Sequence, residues 1–140
     1  MKILLAADDS KYTKKAAAFL VNQEALVGPE NELVVLHVQP AVPPRVKTML
    51  GASAVGSYHQ DEAAKVLEPM ERFLKRHDVQ FRTMWVVGSP ATEVVRVAKR
   101  EKAQMIVMGT RGHGVIGRAL MGSVAQSVVS DCDIPVLLVK

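Results

Sequence analysis

Apolar residues follow two rhythms along this chain. Five short runs are almost continuously aliphatic or β-branched: Lys2 to Ala7, Glu32 to Val38, Gln80 to Val87, Gln104 to Gly109 and Ile134 to Val139. Turn residues bound each of them, which predicts buried strands. Between the runs the spacing lengthens to a helical one. Ser10 to Leu26 carries Ala16, Phe19, Leu20 and Val21; a later stretch sets Val66, Met70, Phe73 and Leu74 on one face; Val94, Val95 and Ala98 form a third stripe. Ser89-Pro90 predicts the start of that third helix, with Ser capping free amides and Pro at the first helical position. A fourth helix is expected to begin near Gly122-Ser123 and to end before Cys132-Asp133-Ile134-Pro135. Pro69 within the second predicts a kink or a break.

Strands and helices in alternation predict an α/β fold: a doubly wound, Rossmann-like three-layer sandwich with a five-stranded, mostly parallel sheet and four helices. In such a fold, ligands bind beyond the carboxyl ends of the strands, where the winding direction reverses. One stretch departs from the rhythm. Gln39 to Gln60 contains Pro40, Pro43, Pro44, Gly51 and Gly56. It reads as a long connection, either a lid, a partner-binding arm or a mobile, sequence-tolerant segment.

Composition narrows the class. A chain of 140 residues, 49% hydrophobic and 23% charged, reads as one globular domain spanning residues 1–140. With aromatics at only 4%, the interior must be aliphatic. Cys132 is the single cysteine, so no intrachain disulfide forms and a reducing cytoplasm is the expected location. The first nine residues have too short an apolar core for a signal peptide, and no run reaches the roughly 20 apolar residues of a membrane span. A formal charge of +4 is spread among interspersed acids, as in Lys99-Arg100-Glu101-Lys102, which argues against a nucleic-acid surface.

The candidate chemistry lies between the fourth strand and the last helix, in Gly109-Thr110-Arg111-Gly112-His113-Gly114-Val115-Ile116-Gly117-Arg118-Ala119-Leu120-Met121-Gly122-Ser123. Glycines here are expected to take positive φ and let successive amides approach phosphate oxygens, while the following helix offers its unpaired amides and positive dipole end. Gly112 to Gly117 matches a dinucleotide pattern, but no acidic strand end follows at the required place. A Walker A loop fails because Arg118-Ala119 stands where Lys and a hydroxyl residue are needed.

A third spacing fits without a gap: Gly109, two residues, Gly112, nine residues, Gly122, Ser123. With it, Lys2 to Ser10, Val35-Leu36-His37-Val38, Val87-Gly88-Ser89-Pro90-Ala91 and Ile134 to Val139 make nearly the whole chain resemble the universal stress protein family, in its ATP-binding subgroup. That resemblance implies the strand order 3-2-1-4-5 and a nucleotide-binding regulatory protein of the stress response that holds ATP, with Mg2+. It further implies a homodimer joined through the last strand, Val136 to Val139. Residue by residue, it implies Asp8 at the ribose or a metal-bound phosphate, Ala6 and Ala7 beside the base, and Val38 offering backbone groups to the adenine edge. Gly109, Arg111, Gly112 and His113 would cradle the phosphates, Gly122, Ser123 and Val124 would complete the site, and Met108 would belong to the same cofactor-binding set. The sequence departs from the family pattern at Asp9, often a glycine there, and in the extra glycines Gly114 and Gly117. No base placed to activate water is evident, so binding is expected to dominate, with hydrolysis at most slow. A slow ATP-cleaving enzyme using the same pocket, and an ATP-independent partner-binding module working through Gln39 to Gln60, are the competing readings.

Other residues read more plainly. A response-regulator receiver also pairs carboxylates after its first strand, as Asp8-Asp9 does, but it needs an aspartate ending the third strand, where Trp85-Val86-Val87-Gly88 has none. Asp9 is expected to cap the first helix. His37 at a strand end, His59 in the long connection and His77 at a helix end do not make a metal spacing. Cys132 is expected to be a buried small apolar residue, and Arg118 is as well explained as a solvated charge as a phosphate contact.

Overall fold

The computed structural model describes residues 1–112 and 121–140. Five strands form one parallel sheet: β1 (Lys2–Ala6), β2 (Glu32–Gln39), β3 (Phe81–Val87), β4 (Met105–Gly109) and β5 (Val136–Val139). Their order is β3-β2-β1-β4-β5, the order implied by the resemblance. The chain therefore builds outward from β1 through β2 to β3, then crosses back to place β4 on the other side of β1. Winding reverses between β1 and β4, the place where such a fold leaves a crevice beyond the carboxyl ends of its strands.

The helices are α1 (Lys11–Val21), α2 (Glu24–Val27), α3 (Pro44–Leu50), α4 (Ala52–Arg76), α5 (Pro90–Arg100) and α6 (Ser123–Asp131). Among the described residues six helices replace the expected four, and each difference has a local cause. The first predicted helix divides at Asn22, whose side-chain amide donates to Ala18 O at 2.8 Å and closes α1 before α2 begins. The proline-rich connection is itself helical. Pro44 opens α3, Gly51 turns the chain at φ 83°, and α4 then runs 25 residues. Its amino-terminal half is rich in Ala, Ser and Gly, yet Val55, His59, Ala63 and Leu67 repeat every fourth residue on a buried face. Pro69 does not break it.

Two aliphatic cores lie on the two faces of the sheet. Strand alternation sends Ile3, Leu5, Leu33, Val35 and Val107 toward α1 and α4, with Leu20, Leu67, Met70 and Leu74. It sends Leu4, Leu36, Val38, Ile106 and Met108 toward α5 and α6, with Val94, Val97 and Val128. Burying each such side chain contributes about 1.5–3 kcal/mol. This double coverage explains why the central strands read as unbroken apolar runs. Cys132 is half-buried against the second core at the end of α6.

At the amino-terminal edge of the sheet, Arg82 pairs with Glu32 at 2.8 Å and with Glu101, while Lys2 lies 3.5 Å from Glu32. The Arg82 hydrogen bonds hold both glutamates below the usual carboxylate range. A carboxylate so lowered stabilises the fold above its unfolded pKa and loses that contribution as pH falls through its folded value. Arg82→Gln should therefore lower urea resistance modestly at neutral pH, because these pairs are solvent-exposed. The deficit relative to the parent should shrink as pH falls through the lowered folded values of the two glutamates, and a deficit of undiminished size in acid would contradict the ion-pair account.

Candidate functional site

At the winding reversal the carboxyl ends of β1, β2 and β4 and the start of α6 enclose a cavity of about 470 Å³. A second depression of about 570 Å³ lies at the opposite end of the strands, but Lys2, Glu32 and Arg82, which line it, already neutralise one another. The cavity at the carboxyl ends is therefore the candidate site.

Its floor follows from the first turn after β1. Asp8 Oδ1 accepts from Ser10 N at 2.9 Å and from Thr13 Oγ1 at 2.8 Å, and Thr13 Oγ1 accepts from Asp8 N at 2.9 Å. These bonds fix the carboxylate at the cavity edge. Ser10 is the N-cap of α1, accepting from Thr13 N at 3.4 Å, so the capping role expected of Asp9 belongs to Ser10. A methyl group placed on Gly112 would fall 2.6 Å from Asp8 Oδ2, so the Gly112 backbone lies directly against that carboxylate. Gly109 is pressed in the same way against α1, where an added methyl group would fall 2.5 Å from Tyr12 Cβ.

The expectation of positive φ in this segment is not met at Gly109, Gly112 or Gly122; among the described residues the glycines with positive φ are Gly51 and Gly88. Gly109 and Gly112 stand where they do because neighbouring atoms leave no space for Cβ. Gly122 is extended, at φ −73° and ψ 163°, and is the N-cap of α6. Its N–H donates to Thr110 O at 2.7 Å, which folds the segment's end back onto β4. Having no side chain, it leaves the first-turn amides of α6 uncapped beside the cavity.

Arg111 borders the cavity from the β4 side. Its Nη1 donates to Tyr12 Oη at 3.3 Å, and its guanidinium lies 5.8 Å from the Tyr12 ring centroid. That hydrogen bond, with Lys11 and Lys15 nearby, holds the half-buried Tyr12 phenol below its usual range.

Ala6, Ala7, Asp8, Val38, Met108, Gly109, Arg111, Gly112, Gly122, Ser123 and Val124 all border this one cavity. His113, together with Gly114, Gly117 and Arg118, lies outside the described residues. Sequence reasoning missed a whole wall, formed by Tyr58, Glu62, Lys65 and Val66 of α4. Their i, i+4, i+7, i+8 spacing was the available signal. Lys65 pairs with Glu62 at 2.8 Å, which raises the lysine's pKa above its usual value.

His37 and His59 also prove different from isolated histidines. His37 Nδ1 lies 2.8 Å from Ala7 O, its Nε2 lies 2.7 Å from Gln39 Nε2, and Gln39 Oε1 lies 3.4 Å from His59 Nδ1. All three side chains are buried. Ser89, expected to cap α5 with its hydroxyl, occupies the N-cap position without a side-chain capping bond, and Pro90 takes the first helical position.

A doubly wound α/β protein with a glycine-lined cleft at its switch point is the class these features define. The family model described as "Universal stress protein family" matches residues 1–140. A universal stress protein from Thermus aquaticus, found in the QAH/OAS sulfhydrylase 3' region, is 36% identical over 99% of this chain and 97% of its own. The chain belongs to the universal stress protein family. Among solved structures, the hypothetical protein MJ0577 superposes with a TM-score of 0.82 at 26% identity, covering 99% of this chain and 94% of that one. An Arabidopsis thaliana universal stress protein family structure with AMP bound superposes at 0.71, with 19% identity, over 100% of this chain and 91% of that one, a likeness of fold.

Proposed function

We propose that this protein is a regulatory nucleotide-binding protein that holds ATP, with Mg2+, in the cleft between β1, β4 and α6. The observation that carries the reading is that the Gly112 backbone, the Asp8 carboxylate and the uncapped amides of α6 border one cavity. Phosphate groups suit such a place, because first-turn amides point at an anion and the helix dipole favours negative charge. The volume lies within the range of small-molecule sites. A nucleotide bound to a family structure of the same fold supports the reading.

In this reading Ala6, Ala7 and Val38 flank the base. Gly109, Arg111, Gly112, Gly122, Ser123 and Val124 surround the phosphates, with Met108 beneath them. Arg111, steadied by Tyr12, supplies forked donors for phosphate oxygens. A magnesium ion accompanying the triphosphate would take Asp8 and phosphate oxygens, the ligand pattern that ion prefers. The bound metal would neutralise phosphate charge next to the Asp8 carboxylate. Binding is the proposed activity. A homodimer through β5 belongs to the same proposal, since β5 ends the sheet and exposes a strand edge.

Analysis of nucleotide released from denatured purified protein, with calorimetric titration by ATP and Mg2+, tests the reading. Binding of ATP with one site per chain is expected; saturating ATP that produces no heat and leaves no bound nucleotide would refute it. Ser123→Ala should weaken ATP by roughly 0.5–3 kcal/mol for a single lost hydrogen bond, the upper end applying to a charged phosphate partner. An unaltered dissociation constant would remove Ser123 from the site.

A further inference from the structure

The buried polar chain between the sheet and α4 is explained neither by the phosphate cradle nor by the core. Ala7 O is an obligate acceptor, so the His37 Nδ1 beside it must carry a hydrogen and donate. In a neutral ring Nε2 then accepts, which orients the Gln39 amide with its nitrogen toward His37. Gln39 Oε1 consequently faces α4, and His59 Nδ1 must donate to it. Each hydrogen position fixes the next, giving a chain with one direction: His59 to Gln39 to His37 to Ala7.

Its two ends are informative. Ala7, just after β1, borders the cavity, and so do His37 and Gln39. His59 does not border it, but it sits on α4, within one turn of the wall residues Tyr58 and Glu62. Strand alternation places His37 and Gln39 on the α4 face, whereas Leu36 and Val38 turn to the opposite core. An ordinary aliphatic pair would fill that space without a directional demand. Three buried polar side chains in series impose one, because reversing any member leaves donor facing donor or acceptor facing acceptor.

We propose that His37, Gln39 and His59 are positioning residues of the nucleotide site. They fix the Ala7 carbonyl and, through His59, the distance of the α4 wall from the base-binding end of the cavity. This inference rests on the nucleotide reading above, and its test separates the two.

Ring-nitrogen NMR of the full chain without nucleotide should show His37 and His59 both protonated on Nδ1 at neutral pH, with His37 Nε2 bare. Calorimetry with ATP and Mg2+ should show His59→Leu binding about tenfold more weakly, as expected for a lost buried hydrogen bond. His59→Asn, whose amide nitrogen stands where Nδ1 was, should recover most of that loss. Because His59 is outside the cavity, loss with leucine and recovery with asparagine report the chain and not a lost ligand contact. A hydrogen on His37 Nε2 in place of Nδ1, or equal ATP affinity in the parent and both variants, would overturn the inference. If His59→Leu does not fold, the His37 tautomer and a failure of His59→Asn to bind like the parent still decide it. A parent that binds no ATP overturns the nucleotide reading and this inference with it. A parent that binds while His59→Leu binds equally well overturns this inference alone.

Discussion

Gly122→Val should abolish measurable ATP binding and leave the protein folded. Two facts about Gly122 separate these effects. Its backbone is extended, at φ −73° and ψ 163°, a conformation that valine adopts readily. The bonds that shape the turn, Gly122 N to Thr110 O at 2.7 Å and Gln126 N to Gly122 O at 3.0 Å, are main-chain bonds that a new side chain does not remove. Gly122 nonetheless borders the cavity as the N-cap of α6, where a phosphate must come within hydrogen-bonding distance of the first-turn amides. A branched side chain there holds the anion off. Losing two charge-assisted hydrogen bonds costs about 3 kcal/mol or more, roughly a hundredfold or greater rise in Kd. Calorimetry with ATP and Mg2+ reads the affinity, and urea unfolding confirms the fold. Parent-like affinity in a folded variant would show that phosphate does not approach α6.

The strands were legible because residues such as Val34, Val35 and Leu36 sit in a sheet covered on both faces, so every position is apolar and the run is unbroken. The alternation of strand and helix, together with the family resemblance, then carried the topology. The stretch after β2 was illegible for a different reason. Ala52, Ser53, Ala54, Gly56 and Ser57 have the composition of a loop, and only the contact of Val55 and His59 with the interior makes them helical. Reading that stretch as a connection concealed one wall of the cleft, since Tyr58, Glu62 and Lys65 are brought over the cavity only if α4 begins early.

The sheet side of the site was legible, though the physical reason differs from the expectation. Spacing marked Gly109 and Gly112, and the expected reason was backbone freedom. Their actual constraint is contact with Tyr12 and Asp8, which are distant in sequence and adjacent only after β4 lies beside β1. No local pattern records such a constraint. The same holds for the His37–Gln39–His59 chain, because His59 lies about two turns before Val66, where the apolar periodicity that announces α4 begins.

Gly109→Ala should be strongly destabilising, although it adds a single methyl group. Its Cβ would lie 2.5 Å from Tyr12 Cβ and 3.0 and 3.1 Å from the Tyr12 carbonyl carbon and oxygen. Two of those atoms are backbone in the first turn of α1, which Ser10, Asp8 and Thr13 pin in place, so the collision cannot be relieved by turning a side chain. Either α1 shifts away from β4 or the strand end moves. Overpacking of this kind costs about 3 kcal/mol. Gly56→Ala provides the contrast, for that glycine is exposed within α4 with no atom within 4 Å of the new methyl group. There the substitution should stabilise by about 0.5–1 kcal/mol, through better helix propensity. Urea midpoints for the two variants should therefore move in opposite directions from the parent. If Gly109→Ala unfolds at or above the parent midpoint, α1 does not pack against β4 as closely as these distances state, and the placement of Asp8 at the cavity edge, which depends on the same turn, fails with it.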